Sequence, residues 1–190
     1  PMNVKVKVWT SVEVNGYIFV WHHVLNEPPS WELVPVPEIA SKEWAYCGRT
    51  DHTILAHPQE ILENAADLTH LPEIHTAPFI SSNFALLNRI KKWKIFEHNW
   101  AAQWSEGPAP HQITIILTGP AHVEIFFESD GFLGKLKGAY MEFVTPISPL
   151  KNRIVYHTWI ERKGILSYLM GKFLLYAEAK MTYLERPVTL

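Results

Sequence analysis

One cysteine, Cys47, is all the thiol this chain of 190 residues has. That excludes an internal disulfide framework and any iron–sulfur cluster held by two cysteines of this chain. Charge of one sign is also scarce. The net charge is -2 and no basic tract appears, so composition offers no electrostatic case for nucleic acid. Long hydrophobic runs are missing as well. The most apolar late stretch, ILSYLMGKFLLYAEA (165–179), is too short to span a bilayer and carries Lys172. No signal peptide, internal repeat or low-complexity segment is visible, and Ser81-Ser82 lacks the glycine context of a nucleophile elbow. The chain as given is expected to be soluble. It starts on a strand-like run and stops at ERPVTL, as a piece of something longer would.

What is present suits a globular core. Hydrophobic residues make up 47% of the chain, with 8 Trp, 9 Phe and 7 Tyr to fill a core or line an apolar cavity. VKVKVWTSVEVNGYIFVWHH (4–23) reads as two strands joined at Asn15-Gly16, and the proline-rich stretch 26–39 as an extended connector. A strand is expected over 43–56 and a helix from Pro58 to about His70, with Ile61, Ala65 and Leu68 as its apolar stripe. The stretch 83–104 favours neither period. Strands follow over 111–119, 122–129, 138–147 and 152–162, separated by Gly-Pro, Asp-Gly and proline turn signals, and neighbours of this kind pair antiparallel. A final helix covers roughly 165–184. The order predicts an α+β fold in which an antiparallel sheet wraps a long C-terminal helix, helix-grip-like, with a cavity between them. Two parts are expected: residues 1–40 as strands and connector from the end of a preceding domain, and residues 41–190 as the main domain.

ENAADLTHLPEIH (63–75) raises the chemical question. His70 and His75 are five apart, a spacing that does not share a helix face. Either the spacing is accidental or the helix stops between the two rings. Leu71 precedes Pro72, which pushes it out of the helical region, so the chain is expected to turn there and let His75 swing back toward His70. Two imidazoles in one site suit iron, zinc, copper or nickel. Asp67, three residues before His70, could accept the free ring N–H of a ligating histidine, and Asn64 could orient Asp67. With 10 histidines in the chain, the pair alone is weak evidence of a metal. His22-His23 and His157 fall on strands, where solvent or core contacts are the plainer reading.

The whole string E-N-x-x-D-x-x-H-x-x-x-x-H, with a strand before it, resembles the iron motif of the Rieske-type non-haem iron oxygenases. The similarity is greatest to the steroid-acting branch, the cholesterol 7-desaturases and the oxygenase component of 3-ketosteroid 9α-hydroxylase. VNGYIFVWHH, EWAYCGRTDHTILAHPQEILENAADLTHLPEIH, NWAAQWSEGPAPHQITIILTGPAHVEIFF and FVTPISPLKNRIVYHTW extend it along most of the chain.

The resemblance implies mononuclear Fe(II) on His70 and His75, with Asp67 as the family's bridging carboxylate and Asn64 beside it. It implies O2, a sterol substrate, a reductase or ferredoxin donor and a homotrimer for the full-length protein. Sterol desaturation or hydroxylation is the implied activity, with 7-dehydrocholesterol formation as the expected form. The 2Fe-2S cluster would belong to a Rieske domain outside this chain, and the parent protein is expected at the endoplasmic reticulum membrane or in the cytoplasm. The family's third ligand is an aspartate on the late helix, and Pro187, which cannot ligate, stands about where it would fall, with Glu185 two residues before it. A non-catalytic sterol- or lipid-binding domain, or an inactive fragment, is therefore the alternative.

Overall fold

The computed structural model describes residues 6, 8–66, 90–95, 99–106, 111–131 and 134–184. Two compact units divide the chain, Pro1–Glu43 and Trp44–Leu190.

In the first unit, β1 (Ser11–Val14) and β2 (Tyr17–Val20) form the expected hairpin. Asn15 and Gly16 both take positive φ, 56° and 79°, as the tight primed turn requires. The strand starts at Ser11 rather than in the lysine–valine alternation, where Val6 and Val8–Thr10 are not in a strand. The connector also differs from its expectation. It ends in one helical turn, α1 (Pro37–Ala40), because Pro37 fits the first helical position, where no N–H is needed. Asn15 Oδ1 accepts the Val36 N–H at 2.8 Å, Trp21 Nε1 donates to the Glu27 carbonyl at 2.8 Å, and Val14, Val36 and Ile39 are buried. The proline-rich stretch is thus tied to the hairpin by specific contacts.

Among its described residues the second unit is one sheet and two helices. Its elements are β3 (Trp44–Ile54), α2 (Pro58–Ala66), β4 (Ile90–Ile95), β5 (Asn99–Glu106), β6 (His111–Thr118), β7 (His122–Gly131), β8 (Gly134–Ser148), β9 (Lys151–Glu161) and α3 (Ile165–Leu184). The strands form a seven-stranded sheet, entirely antiparallel, in the order β3-β9-β8-β7-β6-β5-β4. The last helix packs on β3 and β9, so the fold is α+β with an antiparallel sheet on a C-terminal helix, as the sequence predicts. β4 and β5 fall in the stretch that favoured neither period.

Alternation along the strands gives the sheet two faces. Ile154, Thr158 and Ile160 of β9, Gly138 and Val144 of β8, and Val123, Ile115 and Leu117 of β7 and β6 share the helix side, and all are buried. A β-bulge at Cys47 interrupts the β3–β9 ladder between Tyr46 and Gly48. Beyond it, Gly48, Thr50 and His52 pair with Thr158, Tyr156 and Ile154 on the helix side. Two glycines let the layers close. A Cβ built on Gly171 of α3 would overlap Cys47 Sγ, and one on Gly138 would overlap the Phe127 ring and meet the Trp159 carbonyl oxygen at 2.5 Å.

Candidate functional site

The described part of the histidine motif begins with α2. His57 caps that helix: its Nδ1 accepts the Gln59 N–H at 3.2 Å, while its own N–H donates to Glu60 Oε2 at 3.1 Å, a capping box with histidine in the serine's place. Gln59 Nε2 donates to Glu63 Oε1 at 2.7 Å one turn on. Glu60 is therefore a capping residue rather than merely a solvated one. Asn64 is exposed on α2. Asp67, His70, His75 and the expected turn at Leu71–Pro72 lie outside the described residues, as do Glu185 and Pro187. Beside the helix start, His57, Pro58, Leu62, Leu117 and Pro120 line an open, apolar cleft of about 390 Å³.

A buried polar cluster lies between the sheet and α3. Thr50, Tyr156 and Glu142 form one cross-strand row on the helix side, and His52 is two residues along β3. Glu178 comes down from α3 to meet them. Its Oε2 accepts from the Thr50 hydroxyl, its Oε1 accepts from Thr182 at 2.8 Å, and His52 Nε2 lies 3.4 Å from that same Oε1. His52, Glu142, Glu178 and Thr182 are all buried. The next row holds Tyr140, whose hydroxyl donates to the Leu174 carbonyl at 3.2 Å. Burial pushes that phenol far above its usual range, with the Glu178 charge acting in the same direction. Cys47 is a buried thiol pushed upward by desolvation, an effect that Lys172 partly opposes. It is held protonated, with no sign of nucleophile chemistry.

The other face of the sheet carries a ladder of rings. Tyr46 packs on Trp159 at 5.2 Å and its hydroxyl lies 3.1 Å from His157 Nδ1. His157 meets Phe143 edge-on at 5.5 Å, and Phe143 stacks on His122 at 4.5 Å. Burial, with Arg49 nearby, holds the His157 imidazole below its ordinary range. His157 is thus a packed, hydrogen-bonded ring, in line with the plainer reading of the strand histidines.

Among the described residues no group of three or more His, Cys, Asp or Glu side chains is placed to hold a metal ion. Glu178, the carboxylate nearest a described imidazole in this cluster, already accepts from two hydroxyls, so it serves as a satisfied acceptor. The sequence reading did not single out His52, Glu142 or Glu178. The available signal was Glu178 itself, the one acid within the apolar run 165–179.

Residues 20–168 match the family model of the 3-Ketosteroid 9alpha-hydroxylase C-terminal domain. The chain belongs to this family. It is therefore a Rieske oxygenase catalytic domain, of an oxidoreductase family that typically uses mononuclear iron together with O2 and an electron donor. "Cholesterol 7-desaturase nvd" of Xenopus laevis is 33% identical to it over 94% of this chain and 43% of that protein. The Bombyx mori protein of the same name is 29% identical over 100% of this chain and 44% of its own length. The chain thus spans less than half the length of these relatives. Among solved structures, dicamba monooxygenase covers 91% of this chain and 56% of its own at a TM-score of 0.64 and 11% identity. NdmA of Pseudomonas putida CBB5, solved with caffeine, covers 100% of this chain and 57% of its own at a TM-score of 0.63 and 13% identity. At such identities these two show the Rieske oxygenase catalytic-domain fold alone. No helix among the described residues of this family member is long and apolar enough to cross a membrane.

Proposed function

We propose that this chain is the catalytic domain of an O2-dependent sterol oxidoreductase of cholesterol 7-desaturase type. The observation that carries the proposal is 33% identity over 94% of the chain to a protein of that name, with E-N-x-x-D-x-x-H-x-x-x-x-H intact at 63–75. His70 and His75 are proposed to hold Fe(II), which neutral imidazole suits by its donor chemistry, and which when bound supplies the redox centre for O2. Asp67 is proposed to fix the tautomer of a ligating imidazole by accepting its free N–H, with Asn64 orienting Asp67. The apolar part of the helix side of the sheet, at Ile115, Leu117, Val123 and Val144, supports this reading, since it offers a water-poor wall for a sterol. We also propose that residues 1–40 belong with a preceding Rieske domain bearing the 2Fe-2S cluster, with electrons from a reductase or ferredoxin and trimeric assembly in the whole protein.

Iron analysis after anaerobic Fe(II) loading tests the core of this reading. Wild type is expected to retain iron that His70→Ala/His75→Ala loses, and equal retention by both would refute it. Pro187, standing about where the family's aspartate ligand falls, favours one second reading, a sterol-binding domain without chemistry. Sterol binding that is undiminished in metal-free protein, with no iron retained by wild type, is the result that reading requires.

A further inference from the structure

The terminal helix carries its apolar side outward. Ile165, Leu169, Phe173 and Tyr176 are 74%, 55%, 44% and 61% exposed, and their spacing puts them in one stripe. Leu166 and Tyr168 flank it, 51% and 37% exposed. Contiguous exposed apolar surface of this kind marks an interaction site rather than chance exposure of single side chains. The charge on the stripe is of one sign. Lys172 and Lys180 place their ammonium groups 5.4 and 5.7 Å from the ring centroids of Tyr168 and Tyr176. The one carboxylate between Ile165 and Lys180 is Glu178, which is buried on the opposite side against Thr50 and His52.

We propose that this outward stripe of α3 docks on an anionic phospholipid surface. Apolar side chains of this size enter the boundary between headgroups and acyl chains, tyrosine hydroxyls stay at the headgroups, and lysines reach out to phosphates along their own methylene stems. Anionic lipid supplies the negative charge that the stripe lacks. A second copy of the chain laid stripe to stripe would set Lys172 and Lys180 against an equally acid-free face, so charge disfavours that occupant. The inference is independent of the iron reading, because no residue in it is a proposed ligand.

Vesicle co-sedimentation of the whole chain tests it, with vesicles of phosphatidylcholine alone and of phosphatidylcholine mixed with phosphatidylserine. Wild type is expected to bind the mixed vesicles. Lys172→Glu/Lys180→Glu is expected to bind them at least about tenfold more weakly. Leu169→Glu/Phe173→Glu is expected to lose binding to the mixed vesicles. No sedimentation of wild type with either vesicle overturns the proposal, as does lysine-variant binding equal to wild type. A dimer in sedimentation velocity that Leu169→Glu/Phe173→Glu dissolves, without vesicle binding, gives the stripe to a second copy and likewise overturns it. Should the leucine–phenylalanine variant melt early, the lysine variant, altered only at exposed positions, decides alone.

Discussion

The two sides of α3 reverse the usual division of labour. Its buried side holds Ser167, Gly171, Ala177, Glu178 and Thr182, interleaved with half-buried Leu174 and Leu175. Its outward side holds isoleucine, leucine, phenylalanine and tyrosine. A surface helix ordinarily buries the large apolar residues. The reversal teaches that this helix is held to the sheet by closeness and by polar contacts more than by bulk. Small residues bring the backbone down onto Cys47, and one carboxylate joins two strand positions to its own helix.

The largest expected effect would break this comparison at Glu178. Glu178→Ala leaves Thr50 and Thr182 without their shared acceptor, removes the carboxylate beside His52, and should cost about 3 kcal/mol, read as the denaturant midpoint. A loss below about 0.5 kcal/mol would show that bulk packing alone holds the helix. Next comes Gly171→Ala. The added methyl has to displace Cys47 Sγ and crowd Ile160, so about 1–3 kcal/mol should be lost, again by chemical denaturation. An unchanged midpoint would mean that the helix rides farther from β3 than Gly171 implies.

A smaller effect sharpens the contrast with the ring ladder on the far side of the sheet. The folded His157 pKa is depressed below the unfolded value of 6.5. The unfolded chain therefore takes up this proton first, so the group's stability is full above that pH and declines as pH falls through it toward the folded value. His157→Gln should flatten the decline between about pH 8 and about pH 5.5 in parallel denaturation series, and an unaltered slope would place the acid sensitivity elsewhere. The smallest effect belongs to the outward side. Phe173→Ser should move the midpoint by no more than about 0.5 kcal/mol in the isolated chain, and a larger loss would show that Phe173 is packed.

Much of the fold could be read from the chain because single residues carried it. Asn15-Gly16 set the hairpin, Pro58 opened α2, and the β-branched and aromatic run IVYHTWI gave β9. β4 and β5 were not legible, since IKKWKI puts lysines side by side and NWAAQWSE offers alanines where alternation needs bulk. The cluster around Glu178 was hidden for a different reason. Its hydrogen bond to Thr50 joins residues 128 positions apart, and such a contact leaves no local period in the sequence. The motif at 63–75 was plain as a string of residue types, which is a statement about chemistry and not about where rings point.

The bulge at Cys47 has a consequence for how this strand tolerates change in length. Ahead of it, Trp44 and Tyr46 pair with Glu161 and Trp159; after it, the phase is shifted by one, so that Thr50 and His52 point at α3 while Arg49 and Asp51 point away, the latter bonded to Arg153. Removing that one surplus residue would close the ladder and leave every pair in place, since Tyr46 and Gly48 already face Trp159 and Thr158, which are consecutive on β9. Arg49 and Asp51 would stay on the outward side, and Thr50 and His52 would stay under the helix. One codon lost at the bulge is therefore absorbed there, as one lost in a surface loop is absorbed by the loop.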